Sequence, residues 1–379
     1  MDITLKRNLL FPEVQHLQTI VERKTTVPIL GHVLLETIGN NILLTATDLD
    51  VSLRCRCEAQ VRVGGALTIS ARKLFEIVRL APQDSAIHIK SIGEGDWVEI
   101  GYGRSRFKVA ALGRGNFPEI GEAEGQDIRL DAAMVRHMIG SCVFAVTQEE
   151  SRYTLGGALA VITPSNLSLV TTDGHRLVIV RRTVDLNLDQ EELRVLIPKK
   201  ALVELMKLLS ETGGGIEFRS GERRISFGMG HRLLISRILS GEFPNYKMVI
   251  PQGNDLDADL DTSSFTAALR RVAVVADRET RAVELSLNEG QVKLACQNAN
   301  GERAAEAMET SYEGTPVVIG FNVDYLLDFV NVVDSEQVRV SLKDSDTQGL
   351  LQPVGMPDAD ESDSADDYKI QYVVMPLSL

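Results

Sequence analysis

The strongest constraint on this chain is that it repeats itself. Thr47-Asp48-Leu49 follows the apolar run Ile42-Leu43-Leu44, and Thr172-Asp173-Gly174 follows Leu167-Ser168-Leu169-Val170, an offset of 125 residues. Phe117-Pro118-Glu119-Ile120 returns 126 residues later as Phe243-Pro244-Asn245-Tyr246, and Arg72-Lys73-Leu74 returns after 127 as Lys199-Lys200-Ala201-Leu202. A third, more diverged copy follows in the same order. Opening helical patterns are expected at 8–21, 131–146 and 262–276, with Asp131 and Thr262 as N-caps. Second helices are expected at 71–80, 199–209 and 322–333, with Pro198 suited to a first turn. Between them lie β-rich runs such as Gly31–Leu35, Phe107–Leu112, Leu177–Val180 and Val338–Leu342. Repeats this long bury their own cores, so they read as domains rather than as solenoid units. The expected boundaries are 1–121, 129–251 and 252–379.

Charge follows the repeats. The chain of 379 residues carries a net −13, but residues 1–120 carry +2, residues 121–251 carry zero and residues 252–379 carry −15. Six of those acids fall in Pro353–Asp367, PVGMPDADESDSADD, which reads as an acidic loop between two final strands. A net negative charge argues against nucleic acid only when it is evenly spread, and here it is not. Arg23 and Lys24, Arg72 and Lys73, Lys199 and Lys200, and Arg270 and Arg271 recur at matching helical places. Each pair alone is a solvated face. Arranged around an axis, they would line one surface able to attract a phosphate backbone without reading bases.

Signals for chemistry are weak. The cysteines Cys55, Cys57, Cys142 and Cys296 lack C-x-x-C spacing and read as reduced thiols, with Cys55 and Cys57 on one strand face. No phosphate-binding glycine motif follows a strand, and Gly213-Gly214-Gly215 reads as a turn. The six histidines form no H-x-x-x-H pair, so neither a metal nor a cofactor is expected. Asp173 and His175 could form an acid–base pair, but adjacent turn residues rarely face each other and no nucleophile motif accompanies them. No apolar stretch is long enough to span a membrane, and the N-terminus lacks a signal peptide's small-residue site. The expected place is the cytoplasm.

These landmarks together resemble the bacterial DNA polymerase III β subunit family, the sliding clamps, over essentially the full length. The matching pieces are Pro28-Ile29-Leu30, Thr47-Asp48-Leu49, Gly103-Arg104-Ser105-Arg106-Phe107 and Thr172-Asp173-Gly174-His175-Arg176-Leu177. Further along come Phe243-Pro244-Asn245-Tyr246, Gly320-Phe321-Asn322-Val323 and Tyr372-Val373-Val374-Met375-Pro376. The resemblance implies an α+β fold of three clamp domains, each with two helices and antiparallel sheets. It implies a head-to-tail dimer closed into a ring, with helices lining a hole that holds duplex DNA topologically. It implies no catalysis. It also implies a pocket that takes linear motifs from the polymerase III α subunit, the clamp loader, other polymerases and repair proteins.

Carried over by position, that pocket comprises Leu155, Thr172, Gly174, His175, Arg176, Leu177, Pro244, Met248, Val249, Asn322 and Tyr325, with Val373, Val374, Met375, Pro376 and Leu377 from the tail. Apolar walls that include methionine suit varied Leu- and Phe-bearing peptides. Met248 and Ser378 stand where many family members carry arginine, which suggests a preference for less acidic motifs. The candidate DNA contacts are Lys24, Arg72, Gln148, Tyr153, Lys199 and Lys200. For the ring contact, Arg72, Lys73, Arg104 and Arg106 would face Glu302, Glu306, Asp277 and Glu279. Phe107, Val274 and Val275 would form its apolar centre. The rival readings are a clamp-like adaptor that binds motifs without DNA, and an enzyme using Asp173 and His175.

Overall fold

The structure is a computed structural model that describes residues 1–22, 26–93, 96–147, 149–355 and 368–378. Lys24, Gln148 and most of the acidic stretch 353–367 therefore lie outside the described residues. Six helices occur among the described residues: α1 (Arg7–Ile20), α2 (Ala71–Leu80), α3 (Ala132–Gly140), α4 (Lys199–Leu209), α5 (Thr262–Val272) and α6 (Val323–Val330). Each repeat contributes two, joined to antiparallel strands, as an α+β clamp fold requires. The helices form where apolar residues recur at helical spacing. In α2, Ala71, Leu74, Ile77 and Val78 are buried while Arg72, Lys73 and Glu76 stay exposed.

Several helix ends differ from the sequence expectation. Asp131 does cap α3, its carboxylate accepting the Met134 N–H at 2.7 Å. The cap of α5 is Asp261 rather than Thr262, because Asp261 Oδ1 reaches the Ser264 N–H at 2.7 Å. Asn322 caps α6 from outside, so that helix starts one residue later than its pattern. Pro198 ends the strand Leu193–Pro198, paired with Gly157, instead of opening a helix. The pattern at 131–146 breaks after Gly140. The Ser141 hydroxyl donates back to the His137 carbonyl at 2.9 Å, and a short 3-10 turn, Val143–Ala145, follows.

By contacts the chain divides into two compact units, Met1–Arg136 with Lys200–Ile238, and His137–Lys199 with Leu239–Leu379. Compactness does not follow the repeat boundaries, because strands of neighbouring repeats pair with each other. In the first unit, Arg232–Arg237 of the middle repeat pairs antiparallel with Val51–Glu58 of the first, within a thirteen-stranded antiparallel run. Cys55 and Cys57 on that strand are both buried, with Arg56 exposed between them.

In the second unit, Tyr368–Val374 of the third repeat pairs with Arg176–Thr183 of the middle repeat inside an eight-stranded sheet. A separate four-stranded sheet carries Arg303–Glu309 at its edge. In the eight-stranded sheet Tyr372 is fully buried, stacked on Phe329 at 4.7 Å and edge-on to Phe144 at 5.8 Å. Among the described residues no helix is long and apolar enough to cross a membrane.

Candidate peptide-binding cleft

The middle repeat's strand Asn166–Thr172 ends in a tight loop, Thr172–Arg176, before the next strand begins. Two side chains build that loop. Thr172 Oγ1 accepts the Gly174 N–H at 3.0 Å, and Asp173 Oδ1 accepts the His175 and Arg176 N–H groups at 3.0 and 3.1 Å. Gly174 sits at φ +91°, the left-handed region that glycine enters without a Cβ penalty. The loop forms one wall of a cleft of about 140 Å³. The cleft is lined by Leu155, Thr172, Gly174, His175, Arg176, Leu177, Phe243, Pro244, Asn245, Tyr246, Val249, Val373 and Met375. Behind it lies a continuous apolar cluster that includes Leu159, Val170, Ile179 and Leu196.

Arg176 anchors the cleft floor. Only 8% exposed, its guanidinium donates to Asp173 at 3.0 Å, to Asp328 at 2.7 Å and to the Phe144 carbonyl at 3.2 Å. It also lies over the Tyr325 ring at 4.3 Å and the Phe144 ring at 5.2 Å. Burial opposes its charge, but Tyr372, Asp328 and Asp173 outweigh burial and hold it protonated. Burial pushes the Tyr372 hydroxyl well up in turn, and that hydroxyl donates to the Tyr325 carbonyl at 2.9 Å. The result is a rigid, charge-neutralised base under an apolar cleft.

Ten of the residues expected in this pocket line it together. Six do not. Val374 is buried in its strand, and Asn322 serves as a helix cap. Tyr325 stands beside the cleft, stacked on His175 at 6.5 Å. Leu377 donates its N–H to Gly320 at 2.8 Å, and Pro376 precedes it outside the lining. Met248 is 80% exposed and does not line the cleft. Phe243, Asn245 and Tyr246 do line the cleft although they were expected only as part of a motif. The signal for them was the repeated Phe-Pro pair itself.

Asp173 and His175 are not an acid–base pair. The Asp173 carboxylate is committed to two backbone N–H groups and to Arg176, and the His175 ring stacks on Tyr325. No group of three or more His, Cys, Asp or Glu able to hold a metal occurs among the described residues.

The expected DNA contacts divide in the same way. Arg72 is largely exposed, paired only with Glu76 at 2.9 Å, and Tyr153 is 57% exposed. The Lys199 ammonium instead donates to the Val146 carbonyl at 3.1 Å. Lys200 donates to the Ile20 carbonyl at the end of α1 at 2.7 Å and pairs with the Asp48 carboxylate. Both lysines thus satisfy carbonyls at chain turns, a C-capping role, while both remain part-exposed.

Among the expected ring-contact residues, Val274 is 81% exposed and Val275 is half-buried on the turn that follows α5. Phe107 is half-buried against Tyr102 at 5.7 Å, while Lys73, Arg104 and Arg106 are exposed. Glu306 already forms a two-pronged pair with Arg271 of its own chain, and Glu302 accepts from Asn298. Asp277 closes its own loop by accepting the Glu279 and Thr280 N–H groups at 2.9 and 3.1 Å.

Models of the DNA polymerase III beta subunit match the whole chain in order: the N-terminal domain over residues 1–121, the central domain over 129–245 and the C-terminal domain over 247–377. The chain is 34% identical over 381 residues to a beta sliding clamp of Pseudomonas putida, with 100% of both chains covered. It is 30% identical to that of Escherichia coli strain K12, again with full coverage of both. A crystal structure of the Pseudomonas aeruginosa sliding clamp bound to griselimycin superposes with a TM-score of 0.92 at 32% identity, covering 100% of each chain.

Proposed function

The chain belongs to the family of the DNA polymerase III beta subunit, the bacterial beta sliding clamps, and on that premise we propose that two copies close head to tail around duplex DNA and tether the replicative polymerase to it. The clamp holds DNA by topology, so its contacts with phosphate are few, loose and blind to sequence. That requirement is compatible with a chain of net −13 whose first two repeats are near neutral. Arg72 and Tyr153 remain as exposed candidates for the face that meets DNA. The clamp works by holding rather than by chemistry, and it acts in the cytoplasm.

The observation that carries the partner reading is the cleft between the Thr172–Arg176 loop and the Phe243–Tyr246 segment. Its walls are apolar, its base is fixed by Arg176, and a short peptide bearing Leu or Phe fits such a site. Through it we assign docking of the polymerase III α subunit, the clamp loader, other polymerases and repair proteins by linear motifs. The ring contact would bury Val274, with exposed cations of the first repeat meeting acids of the third.

Retention on DNA tests the whole reading. Protein loaded by a clamp loader onto closed circular DNA should stay bound through gel filtration and fall off when the circle is linearised. Retention on linear DNA, or none on circles, overturns it. Replacing Val274 and Val275 by glutamate should halve the mass seen by light scattering; an unchanged mass removes those residues from the interface.

A further inference from the structure

We propose that Arg152 is a positioning residue for the motif cleft, the strut that sets its Gly174–His175 wall against Leu155. The inference rests on the reading that this cleft takes peptides. Arg152 does not line the cleft. It belongs to the short 3-10 segment Glu150–Leu155, where its own backbone leaves helical geometry at φ −105°, ψ 54°. From there its Nη1 donates to the Asp173 carbonyl at 2.6 Å, while its Nε pairs with Glu149 at 3.1 Å.

The chain supplies its own control for this strut. The first repeat contains the same loop 125 residues earlier, Thr47–Val51, closed by the same bonds. Leu49 N–H donates to Thr47 Oγ1 at 2.9 Å, and the Asp50 and Val51 N–H groups donate to Asp48 Oδ1 at 2.9 and 2.7 Å. In both loops the threonine hydroxyl also donates to the carbonyl four residues on. The left-handed residue is Leu49 at φ +83°, so this turn forms without a glycine. Position 27, the counterpart of Arg152, is valine. The turn therefore needs neither Arg152 nor glycine in order to fold.

Glycine at 174 suits the left-handed φ of +91° and leaves the space beside it to the guanidinium. A Cβ there would fall inside the van der Waals shell of Arg152 Nη1. The second copy of the loop thus has room for an arginine that the first copy does without. That arginine fixes the Asp173 carbonyl, which leads directly into the Gly174–His175 wall. Leu155, three residues along the same segment, enters the cleft, and Tyr153 is exposed beside it. One rigid segment thereby sets the distance between two cleft walls. Preorganised walls cost less ordering when a peptide binds.

The test is a double-mutant cycle read by anisotropy of a short fluorescein-labelled peptide carrying a Leu-Phe pair. Arg152→Ala should weaken binding about tenfold, the worth of a charge-assisted hydrogen bond in a partly buried site. Arg152→Lys should recover part of it, since an ammonium can still donate to the Asp173 carbonyl. Gly174→Ala should produce a similar loss by evicting the guanidinium. The double variant should be no weaker than Gly174→Ala alone, because the two changes remove the same strut. Melting temperature and dimer mass should not move in Arg152→Ala. Wild-type affinity in Arg152→Ala, or losses that simply add in the double variant, overturn the inference. A wild-type protein that does not bind the peptide overturns the reading of the cleft on which it rests.

Discussion

Neighbouring repeats are joined twice by the same construction, and one pair of corresponding positions in the two joins carries opposite chemistry. At the first join the strand Arg232–Arg237 adds to Val51–Glu58; at the second, Tyr368–Val374 adds to Arg176–Thr183. The registers correspond: Arg232 pairs with Cys55, Ile370 pairs with Val180, and Cys55 and Val180 are 125 residues apart. The helix packed at each join corresponds too, with Glu13 on α1 and Met138 on α3 at the same offset. The first join is therefore a buried ion pair where the second has two buried apolar side chains. Glu13, 3% exposed, takes Arg232 in two bonds of 2.7 and 2.8 Å and His231 in a third of 3.0 Å. Arg232 goes on to Glu211 at 2.9 Å, which also holds His16 at 3.0 Å. At the second join Tyr368 stacks on His137 at 4.8 Å, and Tyr372 lies between two phenylalanines.

The difference teaches that strand pairing fixes the geometry of a join but not its response to solution conditions. A buried pair costs desolvation and adds little net stability, yet losing one partner is severe. Packing of Tyr372 between two phenylalanines involves no charge.

Breaking one partner of the pair should have the largest effect. Arg232→Met leaves the Glu13 carboxylate with only His231 of its two basic partners, and should cost about 3–5 kcal/mol in urea denaturation. A loss no greater than that of an exposed-arginine control would show that the pair is not buried in solution.

Acid comes next. Burial pushes the Glu13 carboxyl up, but Arg232 and His231 outweigh it and hold it at about 2 against an ordinary 4.5. A carboxylate with a depressed folded pKa contributes fully above its unfolded value and loses that contribution as pH falls through the folded one. That contribution, about 3 kcal/mol at roughly 1.4 kcal/mol per unit, should disappear between 4.5 and 2. Urea titrations over that range, compared with a variant lacking the pair, should isolate it. Equal acid sensitivity in both would refute the assignment.

At the second join, Tyr372→Phe strands the Tyr325 carbonyl and should cost about 1–3 kcal/mol, with no dependence on pH below neutrality. Replacing both Glu13 and Arg232 by methionine converts the first join to the chemistry of the second. It should change stability by less than about 1 kcal/mol at neutral pH, or raise it, and a cost close to that of Arg232→Met alone would contradict this.

Smallest of all is Met248→Arg, beside the cleft that only the second join is assigned. An exposed pairing of this kind should strengthen binding of an acidic peptide by no more than about fivefold and leave a neutral peptide unchanged. Equal affinities for both peptides in both proteins would remove position 248 from recognition.

Much of this was legible in the residues. The Thr-Asp-x repeat announced two copies of one turn, and both copies close with the same hydrogen bonds because each bond lies within a few residues. The Phe-Pro segments and the tail Val373 and Met375 were visible as motifs. Local periodicity also gave the helices, though not their caps, since a cap depends on which oxygen reaches a free N–H.

Other features were not legible. Glu13 and Arg232 are 219 residues apart, and nothing near either of them predicts the other. Lys199 and Lys200 looked like a phosphate-facing pair, but the fold brings carbonyls and Asp48 within reach of their ammoniums. Nothing in the sequence singles out Arg152; its place follows only from the bond it makes to the Asp173 carbonyl, 21 residues away.

The sequence alone therefore determined the threefold repeat of helices and short strands and the turn at each Thr-Asp, because those follow from spacing over short stretches; the clamp fold and the cleft were implied by the family resemblance. Only the tertiary structure decided which charges are spent internally, where Glu13 finds its partners and which residues line the cleft. Those outcomes depend on desolvation and on contacts between groups that the chain separates by a hundred residues or more.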